Sequence, residues 1–395
     1  MKVVKAIAQN PKVKSALASF QQEVGRVVDL AIAVQQIPAP TFAEKKRAEF
    51  VFQQFQRIGL DDVHIDELNN VYGRLEGTGA DRPVIVSAHT DTVFPVSTDL
   101  TVRYDNGHLH RSSLIYGPGL ADNSTGVAGL LLLGQSLKQF ELLPSADIWL
   151  VANVGEEGLG NLNGMRAVVE RFGETAGYVV VEGGSFGHIF HRAVGVRRYR
   201  LEVHAPGGHS WGDFGSPSAV HVLSQIVAAM DELPLPEEPK TTYNVGVIEG
   251  GTTVNTIAAE ASCQIDLRSI SEPHLQRLVE ALEALVREHD DREGVHLDLT
   301  EIGSRPSGAV PRDSALVTWA ADALRQVGYR AISFMAGSTD ANVPLSMGYP
   351  AVCIGLATSG NTHRLDEFLD PTHLPAGLGQ LLLLTLAASG FRPDS

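Results

Sequence analysis

The sequence predicts an α/β protein carrying a second, α+β unit inserted into the first. Along most of the chain, short apolar runs alternate with longer amphipathic stretches, as strands and helices laid down in turn do. Between about residues 190 and 302 the texture changes to charged–apolar alternation, the pattern of half-exposed antiparallel strands. The 395 residues suffice for two or three domains.

Residues 10–36 and 42–58 read as helices, the second with Ala48, Val51, Phe52 and Phe55 spaced along one helical face. Residues 84–88 form a buried strand that ends at His89. Asp122 or Asn123 suits the N-cap of a helix whose apolar body is 127–137. Strands follow at 147–153, just before Glu156-Glu157, and at 178–181, ending at Glu182. Residues 331–334 and 351–355 supply two more, and 373–388 is a closing helix.

The inserted segment reads as a strand at 197–204, a helix at 217–231, and punctuation at Pro234, Pro236 and Pro239. Strands at 242–249 and 257–267, a helix at 273–289 and a strand at 295–301 complete it. That β-α-β-β-α-β order is the ferredoxin-like split unit. The chain therefore divides at 1–189, 190–302 and 303–395, the first and third pieces forming one domain.

Composition excludes several functions. Hydrophobic residues at 44% and charged residues at 19% rule out global disorder. With 31 Lys+Arg against 46 Asp+Glu, the net charge of −15 gives no electrostatic drive towards nucleic acid or anionic membrane. The apolar runs at 127–134 and 378–386 fall short of the ~18–20 residues of a spanning helix. Lys2, Lys5, Lys12 and Lys14 lie near the start without the apolar stretch of a signal peptide. Cys263 and Cys353 form no CxxC pair and fit a reducing compartment, so a cytoplasmic location is expected.

The chemically loaded side chains His89, Asp122, Glu156, Glu157, Glu182 and His363 fall at predicted strand ends or in the loops beyond, where open α/β sheets bind ligands. Singly, each has an ordinary reading: a loop histidine, a helix cap, a solvated charge pair, a structural carboxylate. Jointly, two imidazoles and three carboxylates can hold two divalent metals, one carboxylate bridging. Zinc accepts this set, as do manganese and cobalt. Two such ions acidify bound water and stabilise the oxyanion. Adjacent residues on extended backbone point in opposite directions, so one of Glu156 and Glu157 is expected to ligate while the other acts as general base. Asp91, two residues after His89, suits a carboxylate that accepts the histidine's other N–H.

The segments His89-Thr-Asp-Thr-Val-Phe-Pro95, Gly117-Pro-Gly-Leu-Ala-Asp122, Gly155-Glu-Glu-Gly158, Val181-Glu182 and Gly360-Asn-Thr-His363 resemble the co-catalytic zinc amidohydrolases. That family includes aminoacylase, glutamate carboxypeptidase, acetylornithine deacetylase and peptidase T, and the likeness runs in order from about residue 30 to 390. It implies a zinc-peptidase catalytic domain, a mixed sheet flanked by helices, with an inserted ferredoxin-like lid and dimerisation domain. By the resemblance, His89 and His363 each cap one of two metals, Asp122 bridges, and Glu157 and Glu182 complete the shells. Glu156 is the implied general base, and a cis peptide is implied between Asp122 and Asn123. Gly207-Gly-His-Ser210 resembles the lid histidine motif, so His209 is expected to polarise the scissile carbonyl across a homodimer interface. Asn255 is a second carbonyl or substrate contact; a turn-stabilising role competes. Arg268 in Asp266-Leu-Arg268 either binds a substrate carboxylate or forms a plain ion pair. Gly337–Asn342 either shapes the pocket floor or is a structural turn.

Three features depart from the family pattern: the long turn Trp211-Gly-Asp-Phe-Gly-Ser-Pro217, Ser218 in place of an asparagine, and Asn123 in place of an aspartate. The expected reaction is hydrolysis of an amide bond in a small peptide or N-acyl amino acid. In the family a glutamate at the Glu182 position leans towards carboxypeptidases and N-deacylases, and a di- or tripeptide aminopeptidase is the alternative. Gly208-His-Ser-Trp-Gly212 also matches the G-x-S-x-G of a serine hydrolase, although Pro206-Gly207 and the loop to Pro217 do not suit its strand-to-helix elbow. A non-catalytic scaffold is the remaining rival, against which all five ligand types and the base are present.

Overall fold

A computed structural model describes residues 2–79, 81–105 and 114–392. They form two units, one of Met1–Arg192 with Ala309–Ser395 and one of Ala193–Gly308.

In the first unit the expected helix at 10–36 is two helices, Pro11–Gln22 and Val24–Gln35, with Glu23 between them outside helical geometry. Asn10 starts the first of the pair, its side-chain oxygen accepting from the Lys12 and Val13 amides. A further helix, Lys2–Gln9, precedes them. Lys45–Ile58 ends on Gly59 at φ 77°, the left-handed stop that glycine adopts without strain.

The main sheet is mixed. In spatial order its strands run Asp61–Ile65, Val71–Leu75, Ile148–Asn153, Val84–His89, Gly177–Phe186, Ala351–Gly355 and His188–Ala193. The four from Ile148–Asn153 to Ala351–Gly355 are mutually parallel. Most of their residues are buried, as in parallel strands generally. On one side lies the buried, leucine-rich helix Leu374–Ala388, packed on Ala315–Gln326. The latter helix and Asn163–Phe172 were not foreseen. The strand expected at 331–334 runs instead over Ser333–Gly337 and pairs with His188–Ala193. A small four-stranded sheet of Arg103–Tyr104, Ile115–Tyr116, Phe368–Asp370 and Thr358–Gly360 also went unread, its strands being only two or three residues long.

The second unit runs strand Gly195–His204, helix Ala219–Asp231, strands Thr241–Gly250 and Glu260–Ser269, helix Glu272–Asp290, strand His296–Arg305. The antiparallel sheet order is Thr241–Gly250, Glu260–Ser269, Gly195–His204, His296–Arg305. Leu201, Val203, Cys263, Ile265 and Leu267 bury one face beneath Leu223, Ile226, Leu278 and Leu282 of the helices. The strand expected at 257–267 is displaced, because Thr256–Ile257 leaves it to form a separate ribbon with Gly208–His209.

Candidate active site

His89 closes a strand in which all six residues are buried, and pairs in parallel with Asn153 at the end of the neighbouring strand. Glu156-Glu157 follows that neighbour, and Glu182 lies in the next parallel strand, Gly177–Phe186. Parallel order thus brings these groups to the carboxyl ends of neighbouring strands.

Asp122 arrives from a different element. It lies in the turn Leu120–Ser124, entered through Gly119 at φ 70°, and its peptide bond to Asn123 is cis. It is not a helix cap: the following helix, Thr125–Gln139, starts after Ser124 without a side-chain cap. The buried Asn123 side chain ties the turn to the sheet, donating to Val181 O at 2.8 Å and accepting from Gly183 N at 2.7 Å. Glu367 holds the other side, its Oε1 accepting from Ala121 N at 2.8 Å and Asp122 N at 3.1 Å. His363, beyond the strand Thr358–Gly360, reaches inward from a left-handed backbone at φ 68°.

The donor atoms converge. His89 Nε2 lies 3.2 Å from Asp122 Oδ1 and 3.5 Å from Glu182 Oε2, while His363 Nε2 lies 3.2 Å from Asp122 Oδ2 and 3.1 Å from Glu157 Oε1. Asp122 Oδ1 is buried and, despite its closeness to His89, has no aligned hydrogen-bond partner. Ligands about 2.0–2.1 Å from a tetrahedral zinc stand about 3.3 Å apart, so the spacing and donor types fit divalent ions better than a hydrogen-bond network. Burial works against charge on His89, but Glu182, Asp122 and Asp91 outweigh it and hold its value well above normal. Hydrogen bonds to Asp122 and Glu157 raise His363 to about 10. Burial pushes Glu182 up to about 7 although His89 opposes it. Anionic donors exceed the cationic side chains among them, an electrostatic field that favours a multivalent cation.

Two expectations are corrected. The carboxylates of Glu156 and Glu157 do not point in opposite directions: both offer an oxygen within a group that also includes His89, all ligand atoms lying within 4.8 Å of one another. Asp91 is the cause. Its Oδ1 accepts from Glu156 N at 3.0 Å and its Oδ2 from Glu157 N at 2.9 Å, so two successive amides face one carboxylate, which extended backbone forbids. His89 Nδ1 donates to the Asp91 backbone oxygen at 3.1 Å and also stands 3.5 Å from the Asp91 carboxylate. Beneath, the buried Arg47 guanidinium, pulled down by burial to about 10, donates to Thr90 O at 2.7 Å and to Ile37 O. In the Gly337–Asn342 stretch, buried Asp340 accepts from Asn153 Nδ2 at 2.7 Å.

The other candidates belong to the second unit. His209 lies on the ribbon strand Gly208–His209, and its Nδ1 accepts from Trp211 N and Gly212 N at 3.2 Å each. Asn255 Oδ1 accepts from Thr253 Oγ1 at 3.0 Å. Arg268 donates to Asp266 at 2.5 Å, the ion-pair geometry of its strand position. Ser210 stands in a loop that continues to a helix starting only at Ala219, so no strand-to-helix elbow supports it as a nucleophile.

Residues 85–386 match the model of peptidase family M20/M25/M40. The chain belongs to that family. This M20 member is a hydrolase acting on amide bonds, as the motif resemblance implied. Among curated proteins it is similar to a succinyl-diaminopimelate desuccinylase of Delftia acidovorans, 25% identical over 88% of this chain and 94% of the relative. Among solved structures, a Staphylococcus aureus tripeptidase superposes with a TM-score of 0.77 at 19% identity, over 93% of this chain and 98% of the other. Bacillus subtilis YXEP, described as a dinuclear metal binding peptidase, gives 0.67 at 15% identity over 94% and 100%. These likenesses place the M20 member in the α/β fold expected from its sequence. No described helix is long and apolar enough to cross a membrane.

Glu367 and Arg47 are contributors that the sequence does not single out, and the tie from the Asn123 side chain to Val181 and Gly183 is equally unmarked there. Glu367 has a local signal, an acid four residues beyond His363.

Proposed function

We propose that the enzyme cleaves the amide bond of a small peptide or N-acyl amino acid at a centre for two divalent ions, zinc first, manganese or cobalt accepted. The observation that carries this reading is Asp122, whose two carboxylate oxygens each stand 3.2 Å from a different histidine nitrogen. His89 and Glu182 complete one ligand set around it, and Glu157 and His363 the other. When bound, the ions supply Lewis acidity to the carbonyl oxygen and to water. Glu156 is left to move the proton, taking one from the attacking water and returning it to the leaving nitrogen. Asp91 holds Glu156 and Glu157 in place. His209 and Asn255 bind the carbonyl oxygen, His209 from the partner subunit of a homodimer, and Arg268, oriented by Asp266, receives a substrate carboxylate.

The desuccinylase name of the curated relative and the glutamate at position 182 favour a carboxypeptidase or N-deacylase. The tripeptidase name of the structural neighbour supports the alternative, a di- or tripeptide aminopeptidase on the same site. A homodimer through the second unit is supported by the strand Thr241–Gly250, which lies at its sheet edge with Val247 and Ile248 exposed.

The test combines elemental analysis with chelation, reconstitution and a panel of N-acyl amino acids, dipeptides and tripeptides with free or blocked termini. Two ions per chain, activity lost on chelation and turnover of N-blocked substrates support the proposal. A strict need for a free amino terminus moves it to the alternative. Failure to take up metal after reconstitution overturns the centre.

A further inference from the structure

The loop after His209 cannot be held in place by apolar burial, because Trp211 and Phe214 are 88% and 90% exposed. Polar contacts hold it, and they run through Asp213. The Asp213 carboxylate accepts the His209 backbone N–H at 2.7 Å, and the Asp213 amide donates to His209 O at 2.9 Å. One residue thus clasps both backbone groups of His209. Gly208 makes room: at φ 149°, a Cβ there would sit 2.8 Å from Asp213 Oδ2. Ser210 N donates to Asn255 O at 3.1 Å and fixes the loop to the residue before the opposite ribbon strand, Thr256–Ile257.

The turn closed by Asp213 aims two amides, Trp211 N and Gly212 N, at His209 Nδ1, 3.2 Å from each. A ring nitrogen facing two N–H donors presents its lone pair, so the ring hydrogen of the neutral imidazole sits on Nε2. Building on the proposed role of His209 at the carbonyl oxygen, we propose that Asp213 is a positioning residue that fixes His209 as an Nε2–H donor. In the other tautomer, Nε2 would turn a lone pair towards the developing oxyanion and repel it. A donor oriented before the substrate arrives avoids that reorganisation during the reaction. The unusual length of the 211–217 turn then has a use, since it supplies both the clasp and the two amides.

The test is a two-bond 1H–15N correlation spectrum of the full chain labelled in histidine, with His209 assigned by its loss in His209→Ala. The expected result is a single Nε2–H pattern in the wild type. In Asp213→Ala, checked for folding by circular dichroism, the pattern averages between tautomers and kcat falls about ten- to a hundredfold, with KM changed less than about threefold. Asp213→Asn keeps an oxygen for the His209 amide and restores both. An Nδ1–H or averaged pattern in the wild type overturns the proposal, as does an unchanged Nε2–H pattern in Asp213→Ala. If the spectra follow expectation while His209→Ala keeps full turnover, the tautomer assignment stands and the catalytic role of His209 falls.

Discussion

Asp91 Oδ2 accepts the backbone amide of Glu157 at 2.9 Å, while the other oxygen of the same carboxylate takes the amide of Glu156 at 3.0 Å. Thr41 Oγ1 completes the set at 2.9 Å. Burial pushes the Asp91 carboxyl up, yet His89 and the two amides outweigh it and keep it below the usual range. Asp91 therefore acts on the site through the backbone, setting the direction of two neighbouring glutamates at once.

Replacing Asp91 by Ala strands two buried amides, each worth roughly 1–3 kcal/mol when left unpaired. Asp91→Ala is expected to lower stability by about 2–6 kcal/mol and to cut kcat by at least about a hundredfold, because Glu156 loses its direction. Denaturant unfolding beside steady-state kinetics checks both. A stable variant with normal kcat removes the backbone role.

Glu156→Gln leaves the five proposed ligands in place and removes the proposed proton carrier. Bound metal should match the wild type by elemental analysis, while kcat falls about 10²- to 10⁴-fold. Full turnover in this variant excludes Glu156 from proton transfer, whereas loss of one ion assigns it to the ligands.

Metal counting separates a bridge from a terminal ligand. Asp122→Ala removes an oxygen from both proposed sets and should leave neither ion tightly bound, whereas Glu182→Ala or Glu157→Ala should each weaken one. The check is titration of the metal-free protein with zinc, followed by calorimetry. Equal, single-site losses in all three variants contradict the bridge.

Glu367 holds the backbone of Asp122, the proposed bridge, from behind. Its Oε1 accepts the Ala121 and Asp122 amides, and burial raises its carboxyl to about 7, with Asp122 adding to the effect. Glu367→Ala should cost about 2–6 kcal/mol of stability for the two stranded amides and also weaken metal binding. Glu367→Gln, which keeps an oxygen for both amides, should recover most of the stability. A Gln variant as weak as Ala argues that shape, not hydrogen bonding, matters there.

What the sequence displayed follows from how each group is encoded. His89, Glu182 and the Glu156-Glu157 pair were visible because apolar strands point to them, and period and run length are local properties. The inserted β-α-β-β-α-β order was readable for the same reason, since Leu201, Val203, Ile265 and Leu267 alternate with polar neighbours. The break at Glu23 was not, because the apolar periodicity continues across it in both helices. Asn123, Asp91 and Arg47 act on backbone groups far away in sequence: Asn123 on Val181 and Gly183, Asp91 on Glu156 and Glu157, Arg47 on Ile37 and Thr90. Such bonds carry no periodic signature, and only the folded chain reveals them. The directions of Glu156 and Glu157 depart from strand alternation on the same account, since the Asp91 carboxylate takes both of their amides.

Asp266, in the second unit, offers a pH-dependent prediction. It sits opposite Arg198 in the sheet of the second unit, donors reaching it from Arg198 at 2.9 Å and from Arg268 at 2.5 Å. Burial raises its carboxyl, but the Arg268 and Arg198 hydrogen bonds outweigh burial and hold it below the ordinary value. A carboxyl lowered by folding stabilises the native state above its unfolded value, near about 3.9, and that contribution is lost as the pH falls through the folded value. Asp266→Asn should therefore cost roughly 1–3 kcal/mol at pH 7, a difference that narrows as the pH drops below about 4. Urea unfolding of both proteins across pH 3–7 reads this directly. A gap that stays constant with pH assigns the loss to packing or to the geometry of the amide, and leaves the two arginines without a charge-dependent hold on Asp266.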